Sequence, residues 1–563
     1  MFSESKDKAL WERVRTSDVY ARHRKEIKEK YDALFKVAPR PRSAQEIIEN
    51  KDHQTYYRTI GQLQASALMA LIYPDNEEYY NSLVDTVWAY CNEYSWAPLG
   101  HYNEYYDRTP ADYDPGLIDI FAASIAFSMA EIKSLFADRF PKLLIDRMTA
   151  EIRRHAIEPF LERRFFWEHH NNNWTAVCAG AIGGMLMYEA PEIFMQEKHR
   201  FDSAMECYLA SYKEDGMCVE GTAYWGFGFG FFAAYAMLLR EFTNGECDYF
   251  KRPLVKAISM YLQKMILQKN VMAMFSDCNL KEGYWIGLPH MLKTIYPDDI
   301  EKLPADRGTI MAYVHLCFSL RSVVYYNPDF VTDKLENKVY PTLCYFTKRT
   351  DYYGFAAKGG NNGESHNHND VASFILTRNN KEIFCDLGYI GPCNTPGYHG
   401  SRRYEYFNPS SFSHSVPYFN GKGQDGTDMR DDVFTVYDEK SETLTMDFAQ
   451  VYEVDVPQLK KATRVFTFSD DVITLKDKFE VTEKTEIVER FVTTIQPVIT
   501  GDTVTVDDVR VSACGIKPRI IEVPFVNQLM QENGTYDDIA YCVEFVLPEN
   551  ETEITVTFDM SNQ

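Results

Sequence analysis

The sequence lacks the basic clusters that bind phosphate groups, although charged residues are plentiful. It has 59 Lys and Arg residues against 82 Asp and Glu residues, and its formal net charge is −23 at pH 7. Nucleic-acid binding needs a basic surface that neutralises phosphates, and attraction to an anionic membrane surface needs one as well. We therefore predict no nucleic-acid partner and no membrane partner, and an acidic ligand must be held by a local basic pocket.

Long apolar runs and paired cysteines are also missing. The longest apolar run, residues 226–239, is shorter than the roughly 20 residues of a membrane span, and it predicts a buried helix. The first residues, MFSESKDKALWERVRTSD, lack the apolar core of a secretory signal, which predicts a cytoplasmic location, or a secreted or periplasmic one if a signal was trimmed. The 12 cysteines form no CxxC pair, which is typical of reduced thiols rather than of a disulfide framework.

The first part of the sequence has the periodicity of helices. Apolar residues recur every three or four positions in TIGQLQASALMALIY (59–73), AVCAGAIGGMLMYEA (176–190) and FFAAYAMLLREF (231–242), as expected for helices with a buried face. A length of 563 residues exceeds what one hydrophobic core usually organises. We predict a helical domain over residues 1–335, built from irregular helical hairpins, and a second domain after it.

From about residue 335 the period changes to two. In ATRVFTFSDDVITLKDKFEV, Val465, Phe468, Val472 and Leu475 alternate with polar neighbours around a Ser-Asp-Asp turn, which indicates an antiparallel hairpin. Similar segments continue to the end of the sequence. Helices followed by a block of strands are typical of separate α and β domains, so we predict an α+β multidomain protein with an antiparallel β-sandwich over residues 336–563.

Two polar stretches in the helical part contain candidate functional residues. WEHHNNNWTAVCAG places His169, His170 and three asparagines before a helix. Asn favours caps and turns, so this stretch is either a capping loop or a source of amide donors to a cleft. In EDGMCVEGTAYWGFG, Tyr224 and Trp225 lie beside glycines, where they either pack in the core or place a phenol in a cleft as an acid or base.

A histidine-rich stretch lies in the strand-forming part. In ESHNHNDVASF, strand alternation would put His366 and His368 on one face. Asp386 and His414 follow in the sequence, and two imidazoles with one carboxylate are a common zinc ligand set. The alternative is a pair of surface histidines on an edge strand. Asp370 is interpreted as a turn residue or as a hydrogen-bonding partner of a ligand.

Taken in order, these stretches resemble the heparinase II/III-like superfamily of polysaccharide lyases. The resemblance rests on NNNW, EGTAYWGFG, HNHNDVASFILTRNNKEIFCDLG and FSHSVPYFNG, and it covers the chain from about residue 90 into the 420s. It implies an N-terminal incomplete (α/α) toroid of helical hairpins followed by a C-terminal antiparallel β-sandwich, with a cleft between them. It also implies β-elimination at a uronic acid, with a glycosaminoglycan such as heparan sulfate, chondroitin or hyaluronan preferred over alginate.

The resemblance implies roles for individual residues. Asn173 or Asn172 neutralises the uronate carboxylate, Tyr224 is the acid and also the base for one C5 epimer, and His366 is the base for the other. A second tyrosine is Tyr398, with Tyr404 as the alternative. The metal ligands are His368, Asp386 and His414, which hold a structural divalent ion, most commonly Zn²⁺. The remaining substrate-binding residues are His170, Glu220, Trp225, Trp96, His101, Arg402 and Arg403. We expect a monomer or a homodimer.

Two other functions remain open from the sequence. A glycoside hydrolase on an (α/α) scaffold needs two carboxylates flanking the scissile bond, and Glu220 and Asp215 are the nearest pair. A non-catalytic carbohydrate-binding protein is the other alternative. It is disfavoured by the joint presence of Asn173, Tyr224 and His366, which a binding module does not need.

Overall fold

The structure, a computed structural model, describes residues 2–49, 53–98, 101, 114–279, 283–311, 315–389, 398, 400, 402–426, 431–526 and 537–561. The chain forms two compact units. The helical unit comprises Met1–Glu214, Tyr224–Ser259 and Gly283–Val331, and the strand unit comprises Asp215–Ala223, Met260–Glu282 and Thr332–Gln563. Two short segments from the helical part of the sequence therefore belong to the strand unit.

The helical unit confirms the predicted helices and extends their bounds. Its α-helices are Lys8–Thr16, Ala21–Leu34, Ala44–Ile48, His53–Ile72, Glu77–Tyr90, Ile120–Leu135, Lys142–Ile152, Glu158–Glu162, Asn173–Glu189, Pro191–Leu209, Gly230–Phe242, Pro253–Ser259, Gly287–Ile295 and Leu316–Tyr325. A helical turn, Thr222–Tyr224, precedes a π-helical turn, Trp225–Phe229, and a second π-helical turn spans Arg153–Ile157. Short 3-10 turns are Ser3–Lys6, Asp18–Tyr20, Phe166–Glu168, Tyr249–Lys251 and Pro328–Phe330, and Tyr284–Trp285 pairs in parallel with Gly308–Thr309.

The helix Asn173–Glu189 is apolar on all sides because other helices surround it. It packs against Ile120–Leu135, Pro191–Leu209 and Gly230–Phe242. A Cβ atom on Gly183 would lie 2.7 Å from the ring of Tyr235, and one on Gly184 would lie 2.8 Å from the ring of Phe127. Glycine therefore permits the close approach of aromatic rings from two sides of this helix.

The 21-residue helical run Thr222–Phe242 is long and apolar enough to cross a membrane by length and composition. Its apolar window is 83% buried inside the protein. This is the expected behaviour of a core helix, and the sequence-based prediction of a buried helix is confirmed.

The strand unit contains three larger antiparallel sheets. The five-stranded sheet runs in chain order through Lys338–Pro341, Tyr345–Arg349, Gly354–Lys358, Phe374–Arg378 and Lys381–Phe384. The eight-stranded sheet has the spatial order Val436–Asp438, Thr443–Asp447, Leu459–Phe468, Val472–Val481, Glu553–Asp559, Val509–Ala513, Thr503–Val506 and Val498–Thr500. The four-stranded sheet has the order Tyr418–Phe419, Ile487–Thr493, Asp537–Val546 and Pro518–Val526. The helix Tyr261–Met265 leads into a small hairpin, Ile266–Gln268 with Val271–Met272, and 3-10 turns are Arg403–Glu405, Ser411–Ser413 and Ala449–Tyr452.

The three sheets share one aromatic core, as expected for a sandwich. The ring of Phe374 in the five-stranded sheet lies 5.3 Å from that of Phe466, 5.7 Å from that of Phe491 and 5.5 Å from that of Phe558. These contacts join one residue of the first sheet to strands of both other sheets. The predicted fold class, helices followed by antiparallel sheets, is confirmed.

The predicted hairpin exists, but its inward face differs from the one that Val465 and Val472 suggested. Phe468 pairs with Ile473 across the turn. Phe466, Phe468, Ile473 and Leu475 are buried, while Val465 and Val472 are only partly buried. Alternation then places a charged residue, Arg464, in the core, which the sequence pattern did not predict.

Arg464 is fully buried and is held by a complete set of acceptors. Its guanidinium donates to Asp477 at 3.0 and 2.7 Å, to Glu489, and to the backbone oxygens of Ala372 and Ser415 at 2.7 and 2.8 Å. A buried charge is tolerated only when it is paired and hydrogen-bonded. The arginine thereby ties strands of the eight-stranded and four-stranded sheets to the loop after His368.

Candidate active site

The histidine-rich segment forms turns, so the strand predicted for it is wrong. Residues 361–373 contain no strand, and the flanking strands are Gly354–Lys358 and Phe374–Arg378. His366 has a φ of 57°, in the left-handed region that few residues other than Gly, Asn, Asp and His adopt. The preceding GGNNGES is rich in turn-forming residues, and this local signal prevails over the alternation.

Asp277 lies at the centre of the cluster that contains these histidines. Its Oδ2 atom is 2.9 Å from Nδ1 of His366, and its Oδ1 atom is 3.1 Å from Nε2 of His368. Oδ1 also accepts hydrogen bonds from the hydroxyl of Tyr398 at 2.7 Å and from the guanidinium of Arg403 at 2.6 Å. Burial opposes the charge on Asp277, but Arg403 and the two histidines outweigh it and hold the pKa of Asp277 well below its usual range.

Sequence reasoning missed Asp277. The residue follows the hairpin strand Val271–Met272 in the stretch MAMFSDCN, and Ser276 before it has a φ of 66°. An acidic residue at a turn directly after an apolar strand was the available signal. Its partner His366 lies 89 residues away, so no spacing in the sequence joins the two.

The predicted metal ligands come together in the strand unit. His368, Asp386 and His414 are all buried, and each offers one ligand atom within 4.8 Å of the others. Nδ1 of His368 lies 3.6 Å from Asp386, and Nδ1 of His414 lies 3.3 Å from it. These two nitrogens and Oδ2 of Asp386 are buried without a hydrogen-bond partner. Buried polar atoms without partners are rare, so these residues fit a divalent cation with two nitrogens and one oxygen as ligands.

Asp370 does not join this group. Its Oδ1 atom accepts a hydrogen bond of 2.7 Å from Lys358, and both side chains are fully buried. Lys358 also donates at 2.7 Å to Oδ1 of Asn367, the residue between the two histidines. Asp370 therefore stabilises the segment that carries His366 and His368.

The asparagine run lies at the start of a helix in the helical unit. Asn172 is the N-cap residue, and its side chain accepts a hydrogen bond of 3.1 Å from the backbone nitrogen of Trp174. Asn173 is the first helical residue and is only 2% exposed. A Cβ atom on Gly228 would lie 3.0 Å from that of Asn173. The π-helical turn after Tyr224 therefore lies next to Asn173.

Tyr224 and Trp225 have different environments. Tyr224 is half-buried at the end of the turn Thr222–Tyr224. Trp225 is 1% exposed and donates its indole hydrogen to the backbone oxygen of Ile258 at 3.0 Å. Trp225 is thus a core residue rather than a sugar platform, because neither face of its ring is accessible. Glu220 is buried and belongs to the strand unit.

Three earlier candidates also lie in the helical unit. Trp96 is completely buried, stacks on His155 with 4.5 Å between ring centroids, and donates to the oxygen of Tyr90. The interpretation of Trp96 as a subsite residue is therefore wrong. His101 is partly exposed and its Nδ1 atom lies 2.6 Å from Asp119. His170 is exposed.

In the strand unit, one residue of each candidate pair of arginines and tyrosines is buried, and the other is more exposed. Arg402 is exposed and pairs with Glu405 at 2.8 Å, whereas Arg403 is 8% exposed and is bound to Asp277. Tyr398 is 1% exposed, and burial together with the charge of Asp277 raises the pKa of its phenol above the usual range. Tyr404 is half-buried, with its hydroxyl 3.4 Å from the oxygen of Asn362.

Structural comparison places the fold among known lyases, whereas sequence comparison does not. No protein-family model and no curated protein matches the sequence. A heparan sulfate lyase of Pedobacter heparinus matches with a TM-score of 0.61 and 12% identity over 99% of this chain and 91% of its own. A heparinase III matches with a TM-score of 0.59 and 14% identity over 90% and 77% of the two chains.

A chondroitin AC lyase of Streptomyces coelicolor A3, in complex with chondroitin sulphate, has the same fold. Its TM-score is 0.57 and its identity 10%, over 99% of this chain and 82% of its own. The predicted resemblance to toroid-plus-sandwich polysaccharide lyases is confirmed at the level of fold. At these identities the comparison carries no information about individual residues.

Proposed function

We propose that this chain is a polysaccharide lyase that cleaves uronic-acid-containing glycans by β-elimination, with glycosaminoglycans preferred over alginate. The observation that carries the proposal is the hydrogen bond between His366 and the buried Asp277. An ionised carboxylate can only accept, so Nδ1 of His366 is the donor. The lone pair then lies on Nε2, and a side chain that is 20% exposed presents a base to a ligand. The lyases that share the fold support the same class of reaction.

The reaction assigns one task to each group. A base, His366 or Tyr224 according to the C5 epimer, removes the C5 proton of the uronate. The electron pair forms the C4–C5 double bond as the C4–O bond breaks, and the phenol of Tyr224 protonates the leaving oxygen. The amide of Asn173 donates to the uronate carboxylate, where negative charge accumulates in the transition state. The product is a 4,5-unsaturated uronate.

The candidate metal group supports the loops rather than the chemistry in this proposal. A divalent cation, which we propose to be Zn²⁺, would supply electrostatic cross-linking of His368, Asp386 and His414. His368 and His414 are completely buried and do not present a nitrogen to solvent. The ligands therefore fix the segment that bears His366 and do not touch substrate.

The hydrogen bonds of Asp215 disfavour the hydrolase alternative. One carboxylate oxygen of Asp215 accepts from the backbone nitrogen of Met217 at 3.2 Å, and the other accepts from that of Leu343 at 2.8 Å. A carboxylate held in this way stabilises a turn, and it is poorly suited to donate or accept a proton. The pair of carboxylates that hydrolysis needs is therefore incomplete.

The reaction class and the glycan are tested together. The protein is incubated separately with heparan sulfate, chondroitin sulfate, hyaluronan and alginate, and near-ultraviolet absorbance reports the new C4–C5 double bond. We expect absorbance with at least one glycosaminoglycan and less with alginate. New reducing ends without absorbance would favour hydrolysis, and no change with any of the four would contradict the proposal.

A further inference from the structure

We propose that Asp277 is a positioning residue that couples the candidate metal group to the proposed base. One of its oxygens holds the metal ligand His368, and the other holds the imidazole of His366. The His366 half of this inference rests on the proposed function. The His368 half stands on the geometry alone.

The first half concerns the orientation of His368. Its Nε2 atom lies 3.1 Å from Oδ1 of Asp277, which directs the opposite nitrogen, Nδ1, towards Asp386. Nδ1 is buried without a hydrogen-bond partner. A carboxylate on the far nitrogen of a ligating imidazole fixes the ring and its tautomer and makes the ligating nitrogen more basic. Asp277 therefore prepares His368 to bind a cation through Nδ1.

The second half concerns the tautomer of His366. The same carboxylate, through Oδ2, accepts from Nδ1 of His366 at 2.9 Å, so Nε2 is the basic nitrogen. The backbone nitrogen of Asp277 also donates to the backbone oxygen of His366 at 3.2 Å. Main chain and side chain thus fix the same residue.

Two further groups hold Asp277 in place. The guanidinium of Arg403 donates to Oδ1 at 2.6 Å and, through Nε, to the backbone oxygen of Asn367 at 2.9 Å. Tyr398 donates to Oδ1 at 2.7 Å. Arg403 therefore binds both the carboxylate and the residue between the two histidines. A displacement of His368 on loss of a cation is transmitted to His366 through one shared, rigidly held carboxylate.

The decisive variant is Asp277→Asn. An amide keeps the size of the side chain but cannot accept from both imidazoles, because one of its two atoms is a donor. We expect the affinity for Zn²⁺, measured by titration with a chromophoric chelator, to fall about 10- to 100-fold. With the glycan that the wild-type protein cleaves, we expect kcat to fall by about 100-fold or more and KM to stay within about threefold.

A matched control is Glu544→Gln in the same unit. Glu544 is 1% exposed and also accepts from a tyrosine, Tyr418, and from two arginines, Arg490 and Arg519. It contacts neither histidine of the cluster. We expect this variant to lose thermal stability and to keep its Zn²⁺ affinity and its kcat, so the control separates the removal of a buried charge from the loss of positioning.

A milder variant is Tyr398→Phe, which removes one donor to Asp277 and serves if Asp277→Asn does not fold. We expect kcat to fall about fivefold, as for the loss of one hydrogen bond, with KM unchanged. Unchanged Zn²⁺ affinity in Asp277→Asn, or unchanged kcat in both variants, would overturn the inference. A wild-type protein that cleaves no glycan would instead contradict the proposed function, and the Zn²⁺ titration would still decide the His368 half.

Discussion

Burial has a different outcome for four histidines of the helical unit than for His368 of the strand unit. In the helical unit, burial lowers the pKa of His23 and His315 to about 3, and of His155 and His290 to about 4. In the strand unit, burial also acts to lower the pKa of His368, but the hydrogen bond to Asp277 and the nearby carboxylate of Asp386 outweigh it and raise that pKa. The difference between His368 and these four residues lies in the two carboxylates that flank His368, because the degree of burial is similar.

This contrast separates the histidines of the helical core from the candidate metal ligand His368. A neutral imidazole in an apolar helical core is one more packing residue. An imidazole between two carboxylates lies where a positive charge is stabilised, whether a proton or a metal ion carries it. Within the described residues, His368, Asp386 and His414 are the group of this kind that is compact enough to hold a metal. The predictions below test this contrast by changing residues of one unit at a time.

The largest effect is expected from Tyr224→Phe in the helical unit. Loss of the phenolic proton removes the proposed acid, so we expect kcat on a cleavable glycan to fall by about 1,000-fold, while Zn²⁺ content and melting temperature stay unchanged. Steady-state kinetics, metal analysis and thermal unfolding measure the three quantities. Tyr80→Phe, which also loses one tyrosine hydrogen bond, to the oxygen of Arg139, is the control and keeps full activity. Wild-type kcat in Tyr224→Phe would exclude the phenol from the reaction.

The next effect concerns Arg464→Met in the strand unit. Removal of the arginine leaves Asp477 and Glu489 buried without their cation, so the free energy of unfolding falls by about 3–5 kcal/mol. Chemical denaturation measures it. Arg510→Met, which breaks the partly exposed pair with Asp559, costs at most about 1 kcal/mol. Equal losses in the two variants would show that burial does not set the strength of these pairs.

The third-largest effect is expected from removal of the metal. Binding at one hundred times the Kd stabilises a protein by about 2.7 kcal/mol, so dialysis against a chelator lowers the melting temperature by several degrees. Asp386→Asn, which removes the candidate oxygen ligand, lowers it by the same amount and makes it insensitive to added Zn²⁺. A chelator effect that persists in Asp386→Asn would place the cation elsewhere.

The smallest effect is the pH response of His23. Its folded pKa, about 3, lies below the value of about 6.5 in an unfolded chain. The unfolded state therefore binds the extra proton, and stability falls as the pH falls below about 6.5. Between pH 7 and pH 5 the loss amounts to about 2 kcal/mol. His23→Phe removes this loss, as pH-dependent denaturation of both proteins shows, and an unchanged pH dependence would contradict the assignment.

The periodicity of the sequence was sufficient to predict helices followed by antiparallel strands, whereas the toroid was an implication of the family resemblance. Apolar spacing of three to four residues in 59–73 and alternation in 462–481 identified a helix and a hairpin, although Val465 and Val472 suggested the wrong inward face for the hairpin. The strand predicted within residues 361–373 was wrong because side-chain hydrogen bonds, such as the one from Lys358 to Asn367, stabilise this segment instead of strand pairing.

The site was only partly predictable, for a similar reason. His368, Asp386 and His414 were recognisable as candidate metal ligands because metal ligands come from few residue types. Asp277 was not, because a hydrogen bond across 89 residues leaves no local pattern. Trp96 and Trp225 were misassigned because the same residues, aromatic beside polar or glycine neighbours, occur in clefts and in cores. Burial distinguishes the two, and it is a property of the fold.

The left-handed backbone of His366 limits the choice of inactive variants for trapping a substrate complex. At a φ of 57°, a β-branched replacement such as Val clashes with its own carbonyl, whereas Gly is free of the clash and Asn tolerates the conformation. In a saturation library at this position, the soluble yield of a variant will therefore depend on how well its residue tolerates the left-handed backbone. Its turnover will depend on whether that residue can accept a proton. His366→Asn, tolerated by the backbone and devoid of a base, is the variant to take into crystallisation with an uncleaved oligosaccharide.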